Sequence, residues 1–67
     1  MEPGTRVVVD SVKSPTFNAT HGKIEAIDED TGDAWVRIDG YNGIEWVEPF
    51  PGCVPFSTDE LRPEVPN

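Results

Sequence analysis

Side chains able to do chemistry are few in this chain, and their spacing does not bring them together. His21 is the only histidine, Cys53 the only cysteine, and no serine lies in a nucleophile-elbow context. Acid–base and nucleophilic catalysis both need a second reactive group within hydrogen-bond reach of the first. The chain is therefore expected not to be an enzyme. A single cysteine forms no internal disulfide and completes neither a thiol zinc site nor a redox pair. Cys53, between Gly52 and Val54 with no basic neighbour in sequence, reads as a small, partly buried apolar residue rather than a reactive thiol. His21, just ahead of Gly22, reads as a loop-end residue.

Asp28, Asp30, Asp33 and Asp39 raise the question of calcium. An EF-hand loop places oxygen ligands at alternate positions and glycine at the sixth, between two helices; counted from Asp28, Gly32 is the fifth residue. A hairpin turn is the expected role, and no metal or cofactor is expected. The whole chain carries thirteen acidic residues against five basic ones, a formal net charge of −8. Such a surface repels phosphate backbones. It suits solubility, a basic partner or imitation of a nucleic acid. Asn18-Ala19-Thr20 matches a glycosylation sequon, read here as chance because no secretory signal accompanies it.

The recognition candidates are aromatic. Tyr41, Trp46 and Phe50, rimmed by Asp39, Glu45 and Glu48, form the pattern of ring anchors in a polar rim that protein-recognition surfaces use. These rings also suit a second role, capping an undersized core. Trp35 and Arg37, opposite Val36, make either a further contact patch or a stacked pair covering the sheet.

Sixty-seven residues make one domain, 1–67, with 1–4 and 66–67 as flexible ends. The opening MEPGTRVVVD has neither a basic nor an apolar leader region, and no apolar run is long enough to span a bilayer. A reducing, cytoplasmic location is expected. TRVVVD (5–10) reads as a first strand with Val7 and Val9 on one face and Val8 on the other. A long loop follows, with Phe17 as a lid over one end of the core. GKIEAIDED starts a second strand at Gly22; Ile24 and Ile27 are three apart, so a bulge near Glu25-Ala26 is needed to place them on one face. DEDTGD supplies turn chemistry, and AWVRID completes a hairpin.

Residues 39–52 form either one long loop or a hairpin with a short extra strand at Ile44–Val47. VPFS is the next strand, Val54 and Phe56 facing one way. Pro51-Gly52 fits the centre of a type II turn, and Pro55 fits an edge strand. Ser57 to Leu61 reads as a capped single turn that swings Leu61 into the core, and Arg62 to Val65 as the strand that closes the sheet. Pro63-Glu64-Val65-Pro66 has the form of a polyproline ligand but reads as a frayed end. The expected class is all-β.

Gly4 with Val7 and Val9, Gly22 to Asp28, Trp35 to Ile38, and Phe56 through Glu60-Leu61-Arg62-Pro63 together resemble a small five-stranded SH3-like barrel with a short 3-10 turn before the last strand. The middle portion is similar to the KOW type, where a glycine precedes an apolar pair separated by two residues. Compact barrels of this kind resemble proteins of bacterial and bacteriophage genomes. The resemblance implies binding of RNA, DNA or protein segments rather than chemistry. Because the cationic residues are scattered and outnumbered, the expected function is a non-enzymatic protein-interaction module. It would bind a basic or extended segment through Tyr41, Trp46, Phe50, Glu45, Glu48 and Trp35, as a monomer or weak homo-oligomer without a membrane. The alternatives are a KOW-like nucleic-acid or ribonucleoprotein component using Lys13, Lys23 and Arg37, an acidic mimic inhibiting a basic protein, and an assembly subunit pairing through a strand edge.

Overall fold

A computed structural model of the chain describes residues 2–13, 15–41 and 50–64. Its five strands are β1 (Arg6–Val9), β2 (His21–Ile27), β3 (Ala34–Ile38), β4 (Val54–Phe56) and β5 (Leu61–Pro63). They form one antiparallel sheet in the order β4-β3-β2-β1-β5. Among the described residues β4 and β5 are the two edges and do not pair, so the sheet is open. Arg62 and Pro63 add to the edge of β1 rather than close a ring of hydrogen bonds.

Alternation sets which side chains meet. Val7 and Val9 are fully buried while Val8 between them is half-buried. In β2 the register slips between Ile24, opposite Val36, and Ala26, opposite Trp35. Glu25 is the extra residue of this bulge, and by taking up one position it lets both Ile24 and Ile27 pack on the core. Ala34, Val36 and Ile38 of β3 face the same core, joined by Val54 and Phe56 of β4 and by Leu61. Trp35 points away from it, yet is only 8% exposed.

The connections are fixed by local chemistry. The β2–β3 turn closes through Asp28 N–H to the Asp33 carbonyl (2.8 Å) and Gly32 N–H to the Asp28 carbonyl (2.7 Å), with Gly32 at φ +79°. Asp28 Oδ1 accepts from the Asp30 amide at 2.9 Å, so this carboxylate is used by the turn itself. Before β4, Cys53 N–H donates to the Phe50 carbonyl (3.1 Å) across Pro51-Gly52, and Gly52 takes the positive φ that a type II turn requires. A single 3-10 turn, Thr58–Glu60, links β4 to β5. The Glu60 carboxylate reaches back to accept from the Ser57 amide (3.0 Å), and Leu61 turns inward.

The long first loop is tied down by Ala19 N–H to the Val9 carbonyl (2.7 Å) and Val9 N–H to the Thr20 carbonyl (2.9 Å). Ser11 is buried, its amide donating to Asn18 Oδ1 (3.0 Å) and its hydroxyl to Glu60. Phe17 lies half-buried against the core, edge-on to Phe56 with centroids 6.0 Å apart. It is the lid its position suggested.

Candidate functional site

The segment between β3 and β4 carries the recognition candidates. Trp46, Glu45 and Glu48 lie outside the described residues, as does the question of an extra strand at 44–47. Tyr41 and Phe50, which stand at the two ends of that segment, are both half-buried. Tyr41 follows β3 through a turn in which its N–H donates to the Ile38 carbonyl (3.2 Å) and Gly40 takes φ +79°. Its ring meets Phe17 edge-on, centroids 5.2 Å apart at 71°, and packs on the core side of the sheet. Phe50 instead rests on Trp35, centroids 5.5 Å apart at 55°. Since Trp35 faces away from the core, the ends of the segment are anchored on opposite faces of β3.

On the outer face a second, smaller cluster forms around Trp35. The Phe50–Cys53 turn folds over it and buries Cys53 to 1% exposure. Arg37 fastens this turn: Nε donates to Glu25 Oε1 (2.8 Å) and Nη2 to the Pro51 carbonyl (3.4 Å). The bulge residue Glu25 is thus the anchor of the clamp, and its hydrogen bond from Arg37 holds its carboxyl below the ordinary 4.5. Burial pushes the Cys53 thiol up, against the opposing pull of the Arg37 charge.

Every arginine is engaged by carboxylate. Arg6 makes a fork to Asp39 (3.0 and 2.5 Å) and a further bond to Glu64 (3.3 Å), Arg37 holds Glu25, and Arg62 pairs with Asp10. His21 Nδ1 lies 2.8 Å from the same Glu64 carboxylate. The hydrogen bond from Arg6 holds the Asp39 carboxyl down, and the contact with His21, ahead of Arg6, does the same for Glu64. Glu60 is held down by the Ser11 hydroxyl first and the Ser57 amide second. Lys13 and Lys23 are the exposed cations outside these pairs.

Trp35 and Phe50, expected in separate patches, pack against each other at a tilt. Sequence reasoning also missed the Arg37–Glu25–Pro51 clamp. Period-2 alternation puts Arg37 on the Trp35 face, and the bulge at Glu25 was the available signal that a β2 carboxylate sits opposite. No family model, no curated protein and no solved structure matches this chain. Among the described residues, no helix is long and apolar enough to cross a membrane.

Proposed function

We propose that the chain is a non-enzymatic protein-interaction module: a small SH3-like, KOW-like domain with an open sheet, in the cytoplasm, that binds a basic or extended protein segment through the aromatic segment between β3 and β4. The observation that carries this reading is the pair of half-exposed rings, Tyr41 and Phe50, each braced by a second ring at an end of the segment between β3 and β4. Braced aromatics give contact area at small entropic cost, since little side-chain freedom is left to lose on binding. Charge supports the choice of partner. With net charge −8 and all three arginines paired to acids, the surface favours a cationic segment over a phosphate backbone. The nucleic-acid reading has only Lys13 and Lys23 left to serve it.

The test is affinity capture of partners with the wild-type chain and with Trp46→Ala, after confirming by circular dichroism that the variant keeps its fold. A partner retained by the wild type, lost on Trp46→Ala and weakened by salt supports the reading. Retention unchanged in the variant removes this segment as the site.

A further inference from the structure

We infer that both edges of the sheet are closed to strand addition, so that neither a second copy nor an extended partner segment joins this molecule by backbone pairing. In an antiparallel ladder, alternate residues turn their N–H and C=O toward one neighbour, and the residues between them turn outward. Pro55 stands opposite Trp35 and has no N–H to exchange, so Ala34 with Phe56 and Val36 with Val54 make the bonds between β3 and β4. The outward residues at this edge are therefore Cys53, Pro55 and Ser57. The Cys53 N–H already donates to the Phe50 carbonyl (3.1 Å) and the Ser57 N–H to Glu60 Oε1 (3.0 Å). Pro55 offers none.

The other edge repeats the arrangement. Glu64 N–H donates to the Arg6 carbonyl (3.0 Å) and Asp10 N–H to the Glu60 carbonyl (2.7 Å), which fixes residues 60, 62 and 64 as the ones facing β1. Leu61 and Pro63 then face outward. The Leu61 N–H is taken by the Thr58 carbonyl, and proline again supplies no donor. Across both edges, none of the described outward positions has a free N–H. An incoming strand would meet carbonyls alone, and its own carbonyls would lose water without gaining a partner. A proline at an outward position of a sheet edge is a recognised guard against edge-to-edge association.

One consequence rests on the interaction reading above: a partner segment is gripped by side chains and is not added as another strand. The inference about the edges stands without it, and its test uses the protein alone. Sedimentation equilibrium and amide hydrogen exchange are compared for the wild type, Pro55→Val, Pro63→Val and the double variant over a wide concentration range. The wild type stays monomeric, with concentration-independent exchange at residues 53, 57 and 61. The double variant, which restores two outward donors, self-associates at least about tenfold more tightly, in line with the net gain of a pair of hydrogen bonds. A folded double variant no more associated than the wild type overturns the inference. So does wild-type self-association that protects the amides of either edge, and this arm decides the matter by itself if a variant does not fold.

Discussion

Replacing Gly22 by alanine should be severely destabilising, although alanine at a glycine site with ordinary backbone angles usually stabilises by about 0.4–1 kcal/mol through the unfolded chain. Gly22 is buried in β2 between Val7 of β1 and Ile38 of β3. A Cβ there would stand 2.6 Å from the Arg37 carbonyl oxygen and 2.7 Å from Val36 Cγ1. The first of these is backbone held in the β2–β3 ladder, so relief requires the sheet to part. Overpacking of this kind costs about 1–3 kcal/mol, and contact with fixed backbone places it at about 2–3. A chain of this length has a total stability of roughly 3–10 kcal/mol, so the variant loses a large share of it. Thermal and urea unfolding followed by tryptophan fluorescence read the change, and the melting temperature should fall by about 10–20 °C. Gly32→Ala is the contrast: nothing lies within 4 Å of its Cβ, and only the φ of +79° is strained, so about 1 kcal/mol is expected. A Gly22→Ala protein as stable as the wild type, or more so, would refute the packing argument.

Acid should weaken the fold through four carboxylates. Glu25, Asp39, Glu60 and Glu64 all bind a proton less readily folded than unfolded, so their contribution is complete above the ordinary values of 4.5 and 3.8 and is lost as pH falls through the lower folded values. Urea midpoints should drop below pH 4.5, less steeply in Glu60→Gln; a midpoint that rises on acidification would mean that relief of the net charge of −8 outweighs the pairs. Arg37→Ala removes an exposed ion pair and should cost no more than about 1 kcal/mol of global stability. It should nevertheless speed labelling of the buried Cys53 thiol about fivefold, because the Phe50–Cys53 turn loses its tie and opens locally. Unchanged labelling would show that the clamp does not hold the turn. Phe17→Ala, at a half-buried lid, should cost about 2 kcal/mol in urea unfolding, below the range for a fully buried phenylalanine; a change under about 0.5 kcal/mol, the level of an ordinary surface substitution, would deny it the role.

Much of the fold is legible because strand period and turn chemistry are local. Val7 and Val9, the bulge demanded by Ile24 and Ile27, the turn at Pro51-Gly52 and the inward swing of Leu61 all follow from neighbours within a few residues. Barrel closure was not legible. The strand order, with β4 and β5 as the two edges, follows from pairings between residues far apart in the chain. The candidate site divides the same way. Aromatic content marked Tyr41, Phe50 and Trp35, while the tilted contact of Phe50 with Trp35 and the capture of Pro51 by Arg37 join residues 14 or more apart, through a register no local pattern specifies. The pairing of Arg6 with Asp39 and Glu64 across three strands is likewise a product of topology.

The most direct test of the interaction reading is a pair of titrations of the isotope-labelled protein by nuclear magnetic resonance, one with a basic, proline-containing peptide and one with a single-stranded oligonucleotide. Both are run at about 0.1 M and about 1 M salt, between which the screening length shrinks from about 10 to about 3 Å. The account predicts shifts at Tyr41, Trp46 and Phe50 with the peptide, weakened at high salt, and none with the oligonucleotide. Oligonucleotide binding at low salt with shifts at Lys13 and Lys23, and silent aromatic residues in the peptide titration, would contradict it.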